Sequence, residues 1–263
     1  MLFRSEAGET IEITAEAMIE REPITVICSQ MGWIRALKGH VDLGLEQKFK
    51  DGDAARFAFH AETTDKILII GANGRFYTVK GANLPGGRGM GEPLRLMVDL
   101  PNEADIVDIL VHQPGMRLIV ASYEGNGFIV PENDIIAQTR TGKQVLNVGD
   151  GVAKACIRMN GDHVAVVSEN AKLLVFATDE LPEMGRGKGV RLQKYKKAAG
   201  RQGTLEIDGG LCDLTTFQWA GGLSWQMGGG KTRTEPDMAE WKGARGGVGK
   251  RPPHGFPKNN KFS

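Results

Sequence analysis

The stretch Ile24-Thr-Val-Ile-Cys-Ser-Gln-Met-Gly-Trp-Ile-Arg-Ala-Leu-Lys38 has the pattern of a β-hairpin, and the chain repeats that pattern. An apolar, β-branched run, Ile24–Cys28, precedes a tight turn at Met31-Gly32 and a second strand-like run, Trp33–Lys38. The copies recur at roughly 40–50 residues, a spacing typical of propeller-like blades. Each copy has a first run, a turn and a second run: Ile67–Ile70, Asn73-Gly74 and Arg75–Lys80; Leu118–Ala121, Asn126-Gly127 and Phe128–Val130; Val164–Val167, Asn170-Ala171 and Lys172–Phe176; and, more weakly, Leu211–Leu214, Gly221-Gly222 and Leu223–Trp225.

The repeat predicts an all-β fold with very little helix. Asn-Gly between apolar runs favours a type I′ hairpin turn. Further strand-like runs, such as Leu94–Leu100 and Ala153–Met159, bring each unit to about four short strands, which must stack to bury both faces. We therefore expect a blade-like array of about five four-stranded units, arranged as a disc or an open spiral.

The repeats also suggest the domain boundaries. Residues 23–249 hold the repeats, and residues 1–22 are expected to be a linker or an added edge strand. Residues 250–263 carry Lys, Arg, Pro, Gly and Asn, a composition typical of a disordered basic tail.

Composition excludes several classes of protein. The net charge of the 263 residues is only +1, 36 are glycine and 6% are aromatic, which suits turns and short strands. Cys28, Cys156 and Cys212 form no Cys-x-x-Cys pair, so a zinc site or a disulfide framework is not expected, and Cys28 and Cys156 should pack in the core. Without a membrane-length apolar run or a signal-peptide pattern, the expectation is a soluble protein of the cytoplasm.

Glycine-rich basic segments form a second layer of repetition. They are Leu84-Pro-Gly-Gly-Arg-Gly-Met-Gly91, Leu181-Pro-Glu-Met-Gly-Arg-Gly-Lys-Gly189 and Trp241-Lys-Gly-Ala-Arg-Gly-Gly-Val-Gly-Lys250, with a remnant at Thr139-Arg-Thr-Gly-Lys143. Glycine allows a phosphate to approach backbone N–H groups, but it does not explain the accompanying cations. We therefore predict phosphate binding by Arg88, Arg140, Lys143, Arg186, Lys188 and Arg245, and by the neighbouring Arg191, Lys194 and Lys196.

A second set of cations follows the hairpin turns. Arg35, Lys38, Arg75, Lys80 and Lys172 lie on corresponding strands of the repeats and are predicted to form a basic band that contacts the DNA backbone. Taken singly, each of these residues is better explained as part of an exposed strand face, and only the band as a whole favours DNA contact.

No catalytic motif stands out. Gly228-Gly-Gly-Lys-Thr232 resembles the end of a P-loop, but Trp225 occupies the place of its first glycine. The five histidines have no metal-ligand spacing, and the tryptophans near the C-terminal end are expected in the core or as a cap. No metal, cofactor or catalytic residue is predicted.

Several of these segments resemble the C-terminal domain of the topoisomerase IV A subunit (ParC), which is related to the gyrase A C-terminal domain. The resemblance rests on residues 23–40, on Gly87-Arg-Gly-Met-Gly-Glu-Pro-Leu94 and on residues 181–192, and it covers about residues 5–250. The resemblance implies a β-pinwheel whose blades exchange outer strands and whose basic rim binds and bends duplex DNA. The gyrase box Gln-Arg-Arg-Gly-Gly-Lys-Gly is kept only at its end in Glu183–Gly189, which favours topoisomerase IV over gyrase-type wrapping.

The resemblance also implies partners. The domain would be a non-catalytic part of an ATP-dependent type IIA topoisomerase, serving decatenation, supercoil relaxation and chromosome segregation. ATP and Mg²⁺ would be used elsewhere in the holoenzyme, whose catalytic core and, through it, B subunit would be the protein partners; no membrane is involved. Alternatives are a gyrase-type wrapping domain, a propeller-like protein-interaction scaffold and, with less support, an RNA-binding domain.

Overall fold

The computed structural model describes residues 18–199 and 205–263, and these contain β-strands and short 3₁₀ turns but no α-helix. The all-β expectation is confirmed. The strands are β1 Pro23–Ser29, β2 Trp33–Lys38, β3 Ala55–Glu62, β4 Lys66–Gly71, β5 Arg75–Lys80, β6 Glu92–Pro93, β7 Ile106–Val111, β8 Arg117–Ser122, β9 Asn126–Pro131, β10 Lys143–Gln144, β11 Ala153–Arg158, β12 His163–Ser168, β13 Leu173–Ala177, β14 Val190–Arg191, β15 Lys196–Ala199, β16 Leu205–Asp208, β17 Leu211–Phe217, β18 Leu223–Met227 and β19 Lys231–Glu235. The 3₁₀ turns are Gly81–Asn83, Leu94–Leu96, Glu132–Ile135, Thr178–Glu180, Trp219–Gly221, Gly228–Gly230 and Ala239–Trp241.

The chain divides into two compact units. The first comprises Met1–Lys66 and Lys80–Pro93, and its sheet has the strand order β3-β1-β2-β6. The second comprises Ile67–Val79 and Leu94–Ser263, with sheets of order β10-β5-β4-β7, β11-β8-β9-β14 and β13-β12-β17 and the hairpins β15-β16 and β18-β19. The strand pairs β1–β2, β1–β3, β2–β6, β5–β10, β4–β7, β8–β11, β8–β9, β9–β14, β12–β13, β12–β17, β15–β16 and β18–β19 are antiparallel.

The hairpin turns differ from the expected two-residue type. Each is a three-residue loop whose last residue has a positive φ and donates its N–H to the carbonyl three residues earlier. These last residues are Gly32, Gly74, Gly125 and Ala171. In the third repeat the turn is at residues 123–125, and Asn126-Gly127 begins β9 instead. A type I turn followed by one left-handed residue explains the geometry, so a single glycine suffices where type I′ needs two positive φ angles.

Strand exchange organises the repeats. The fourth strand of a sheet comes from the glycine-rich segment that follows the next hairpin in the sequence: β6 pairs with β2, β10 with β5 and β14 with β9. The corresponding segment after β17–β19 reaches β13 only through isolated bridges, Val175 with Lys242 and Leu173 with Lys250. The fourth described sheet therefore has three strands rather than the expected four.

Two further expectations are wrong in detail. Leu211–Phe217 is not the first strand of a fifth hairpin but the third strand of the fourth sheet, and the last hairpin is β18–β19. Leu94–Leu100 begins with a 3₁₀ turn rather than a strand, and Met97 and Val98 donate their N–H groups back to the Leu94 carbonyl. For both segments, the strand role predicted from local apolar content alone was incorrect.

Residues 250–263 are not the disordered tail that their composition suggested. The Phe262 carbonyl accepts a 2.8 Å bond from Gln226 N–H of β18, and the Phe262 N–H donates to the Asp213 carboxylate at 2.8 Å. Phe262 is buried with Trp225, and Phe256 packs edge-on against both rings. The aromatic residues supply the apolar contacts that fix the segment beside the last hairpin. Residues 1–22 were expected to be a linker or edge strand, and residues 1–17 lie outside the described part.

The apolar residues of the repeated strands form the hydrophobic cores. In the second unit, alternate residues of the central strands fill three clusters, one of them built around Leu68, Phe76, Val120 and Phe128. Cys28 and Cys156 are buried as expected, and burial raises the pKa of the Cys28 thiol to about 12. Trp225 is fully buried in the last cluster, with Trp219 and Trp241 packed against it, so the core and cap roles of the tryptophans are confirmed.

Candidate nucleic-acid interface

We name the glycine-rich segments exchange loops: residues 84–91, 136–142, 181–189 and 241–249. The last glycine of each loop has a φ between +71° and +84°. A Cβ on that glycine would lie only 2.3 to 2.7 Å from a carbonyl oxygen of the receiving strand. These four glycines are Gly91, Gly142, Gly189 and Gly249, facing Ile34, Phe76, Gly127 and Leu173. Close backbone contact in strand exchange, and not a phosphate, therefore requires glycine at these four positions.

Other glycines of the loops face open space. A Cβ on Gly86 or Gly89 would meet no atom within 4 Å, and one on Gly185 would meet only the Asp134 carboxylate at 4.0 Å. Because only a backbone surface is presented there, an anion can approach these positions closely. The first and third exchange loops thus contain both a packing glycine and exposed glycines.

In the first unit, Lys38 and Arg88 border the same groove. The groove has a volume of about 690 Å³. It is lined by residues of β2, the exchange loop and the start of β6: Ala36, Leu37, Lys38, Pro85, Gly86, Gly87, Arg88, Gly91 and Glu92. The Ala36 N–H donates to the Pro85 carbonyl at 2.8 Å, which seats the loop against the strand. Lys38 and Arg88 are both exposed, and Lys38 is 3.8 Å from Glu22, a separation at which an exposed ion pair is weak. The groove can present two cations to one anionic ligand.

In the second unit, Lys172, Lys194 and Lys196 line a recess of about 270 Å³. The alternation along residues 194–196 places both lysines in solvent and Tyr195 in the core. Burial raises the pKa of Tyr195, so the phenol stays neutral and the recess keeps its positive character. The Lys194 N–H donates to the Gly247 carbonyl at 2.9 Å, which ties the segment to the following exchange loop.

Two polar members of this recess, Asn170 and Asp208, are not among the site residues predicted from the sequence. Asn170, in the hairpin loop, donates its side-chain N–H to the Asp208 carbonyl at 2.9 Å, and Asp208 and Gly209 close the recess. Asp208 adds a carboxylate that lowers the net positive charge. The repeat pattern predicts Asn170 only as a turn residue, and no local pattern identifies Asp208, because β16 lies far from β12 in sequence and belongs to no repeated motif.

Arg186, Lys188 and Arg191 are exposed on the third exchange loop and on β14. The backbone around them is fixed: the Gly187 N–H donates to the Val145 carbonyl, and the Gly187 carbonyl accepts from the Asn147 N–H. Arg88 and Arg186 each lie three residues before the packing glycine of their loop. Of the arginines in the three full glycine-rich segments (Arg88, Arg186 and Arg245), Arg88 and Arg186 thus occupy the same position relative to the packing glycine and are both exposed.

The other predicted cations are held by protein atoms. Arg35 is buried, with 4% of its surface exposed, and donates 2.9 Å bonds to the carbonyls of Gly89 and Lys48. Arg75 donates to the Thr141 and Gly142 carbonyls at 3.0 and 3.3 Å.

Arg245 and Arg140 lie on the exchange loops, and Lys143 is the first residue of β10. Arg245 donates to the Arg191 carbonyl at 2.7 Å, and Arg140 to the Leu96 carbonyl at 2.6 Å. The Lys143 ammonium bonds the Asp134 carbonyl, and Lys80 is half-buried. In the predicted basic band, Lys38 and Lys172 are therefore exposed, Lys80 is half-buried, and Arg35 and Arg75 bond to backbone carbonyls. Arg140 and Lys143, from the glycine-rich segments, are exposed and also bond to carbonyls.

No metal centre or membrane span accompanies these surfaces. Residues 18–199 and 205–263 contain no group of three or more His, Cys, Asp or Glu side chains placed to hold a metal ion. Within the same ranges no helix is long and apolar enough to cross a bilayer.

Comparisons with known proteins agree with this geometry. The family model described as "DNA gyrase C-terminal domain, beta-propeller" matches residues 65–113, 117–154 and 162–199. The A subunit of DNA topoisomerase 4 from Rickettsia bellii is 48% identical over 257 residues, and that from Caulobacter vibrioides is 44% identical over 263. These alignments cover 97% and 98% of this chain but 33% of each relative, so the chain spans about a third of their length.

Among solved structures, the E. coli ParC C-terminal domain aligns with a TM-score of 0.75 and 26% identity. The alignment covers 90% of this chain and 96% of that one. The chain is similar to gyrase-type C-terminal domains and shares their all-β, propeller-like fold of the β-pinwheel class. Within that class, its resemblance to the C-terminal region of the topoisomerase IV A subunit is confirmed.

Proposed function

We propose that this chain is the accessory DNA-binding and DNA-bending domain of a type IIA topoisomerase, and specifically of the topoisomerase IV A subunit. It holds duplex DNA for strand passage by the catalytic core, during decatenation and supercoil relaxation in the bacterial cytoplasm. The supporting observation is the set of exposed cations on and beside the exchange loops. That contact set is Lys38, Arg88, Lys172, Arg186, Lys188, Arg191, Lys194 and Lys196.

The proposed mechanism is electrostatic. Each cation neutralises a phosphate and releases counterions, so six such contacts give a slope of roughly −5 in a plot of log affinity against log salt concentration. The exposed glycines leave room for the backbone of DNA to approach. Such contacts position the duplex without reading its bases, so little sequence specificity is expected.

Bending follows from contacts distributed along a site. Bending a few tens of base pairs costs on the order of 1–6 kcal/mol, which several phosphate contacts must offset. The domain itself carries no catalytic role in this proposal. Cleavage and ATP use belong to the rest of the holoenzyme, including its B subunit.

The test is a salt series of duplex-DNA binding by the 263-residue chain. Replacing Arg186→Ala and Lys188→Ala together should make the slope shallower by about 1.8, the effect of two lost phosphate contacts. A matched control, Arg140→Ala with Lys143→Ala, removes the same charge from another exchange loop and the strand residue that follows it. Because those side chains bond to protein carbonyls, the control should leave the slope nearly unchanged.

Two outcomes would contradict the proposal. Absent binding at low salt, or salt-insensitive binding, would instead favour a protein-interaction scaffold. If both double variants changed the salt slope equally, the exposed pair Arg186 and Lys188 would contribute no more to DNA binding than the carbonyl-bonded pair Arg140 and Lys143. A topology assay on ligated DNA circles then separates bending from gyrase-type wrapping, because only wrapping leaves a change in linking number of fixed sign.

A further inference from the structure

Two arginines, the buried Arg35 on β2 and the half-buried Arg245 on the last exchange loop, share one arrangement. Arg35 and Arg245 each donate from the guanidinium to main-chain carbonyls of a segment that carries an exposed arginine. The carbonyl that receives Arg35 belongs to Gly89, next to Arg88, and the one that receives Arg245 belongs to Arg191 itself. Neither guanidinium forms an ion pair with a carboxylate in the described residues.

Arg35 is the clearest case. Its two terminal nitrogens reach carbonyls on opposite sides, Gly89 in the exchange loop and Lys48 in the segment before β3, both at 2.9 Å. Its guanidinium carbon lies 5.5 Å from the centre of the Phe49 ring, so aromatic and backbone groups surround the charge. The rigid fork of an arginine can bridge two such carbonyls, whereas a lysine ammonium on its flexible stem cannot hold the same geometry.

Loop carbonyls need partners because they lie outside the strand ladder. Gly89 has a φ of +85° and no atom within 4 Å of its Cβ position, so side-chain packing does not restrain it. The Arg35 guanidinium supplies the restraint through a charge-assisted hydrogen bond. Loss of that bond frees the backbone on the C-terminal side of Arg88.

We propose that Arg35 and Arg245 are positioning residues of the DNA-binding surface rather than phosphate contacts. Arg35 fixes the backbone that presents Arg88, and Arg245 fixes the backbone that presents Arg191. The inference rests on the proposed DNA-binding function and refines it, because it assigns a role to two arginines that the sequence predicted as phosphate contacts and that lie outside the contact set.

The test is a double-mutant cycle on the full chain, with a mixed-sequence duplex of about 40 base pairs, a length suited to bending, as the probe. Arg88→Ala should weaken binding about fivefold and make the salt slope shallower by about 0.9. Arg35→Lys keeps the charge but not the fork, and should weaken binding by about the same factor. In the Arg35→Lys background, Arg88→Ala should then cause little further loss.

A second readout follows the backbone directly. Amide hydrogen exchange at residues 86–91 should accelerate in Arg35→Lys and stay unchanged in Arg88→Ala. Full DNA affinity in Arg35→Lys, or additive losses in the double variant, would overturn the proposal. So would unchanged exchange at the loop.

These experiments distinguish a failure of the DNA-binding proposal from a failure of the proposed positioning role of Arg35 and Arg245. If the wild-type chain binds no DNA, the proposed function fails, while hydrogen exchange still decides whether Arg35 restrains the loop. If Arg35→Lys lowers the melting temperature too far for measurement, the pair Arg245→Lys and Arg191→Ala gives the same cycle in the second unit. If Arg35 or Arg245 affected only global stability, Arg88→Ala or Arg191→Ala would lower DNA affinity by the same factor with and without the lysine substitution.

Discussion

Replacing Gly189 by alanine tests whether the packing glycines serve strand exchange. Gly189 has a φ of +78°, and an added Cβ would lie 2.3 Å from the Gly127 carbonyl oxygen and 2.5 Å from its carbon. The left-handed conformation costs an alanine roughly 1–2 kcal/mol. Relieving the clash means moving one backbone segment away from another, which costs about 1–3 kcal/mol more.

The two costs sum to about 2–5 kcal/mol, and we expect a destabilisation of Gly189→Ala of about 3 kcal/mol. In a domain of this size that lowers the melting temperature by roughly 6–12 °C. The control is Gly185→Ala in the same loop, where the nearest atom to an added Cβ is 4.0 Å away and φ is not positive. Alanine there should leave stability unchanged or raise it slightly, since it restricts the unfolded chain.

Thermal and urea denaturation of the two variants measure the difference. Equal melting temperatures for Gly189→Ala and Gly185→Ala would refute the reasoning, because the two variants change the unfolded state alike. A large loss in Gly185→Ala alone would mean that the exposed glycines, not the packing glycine, hold the exchange in place.

Three further changes probe other features. Ala171→Gly relieves a residue with a φ of 52° and should raise stability by about 0.5–1 kcal/mol in urea denaturation; a decrease would contradict the turn geometry. Glu132→Gln removes a fully buried carboxylate that accepts a 2.6 Å bond from Arg158, and should cost about 3 kcal/mol by the same measurement; a change below the error would show that the pair is dispensable. Burial raises the pKa of Cys28 from 9.0 to about 12, so between these values only the unfolded thiol ionises and stability falls as pH rises, by up to about 1.4 kcal/mol per pH unit. Cys28→Ala should make that decline shallower, and an identical pH profile would exclude the thiol as its source.

The sequence by itself determined the repeated hairpins. Ile24–Cys28 and Trp33–Lys38 lie within β1 and β2 of the structure, and Arg75–Lys80 coincides with β5. A β-branched, apolar run followed by a turn is a local signal, since neighbouring residues both form the strands and pair them. The glycine-rich loops were also visible locally, and so was the resemblance to a family.

Only the tertiary structure decided which cations are available to a ligand. Arg35 and Arg88 looked alike in sequence, yet Arg35 lies buried beneath the loop that exposes Arg88. The exchanged strands, such as β6 and β14, are two residues long and pair with strands more than 50 residues away. Strands so short have no periodicity to detect, and their pairing depends on backbone hydrogen bonds between distant segments, which local patterns of side chains do not encode.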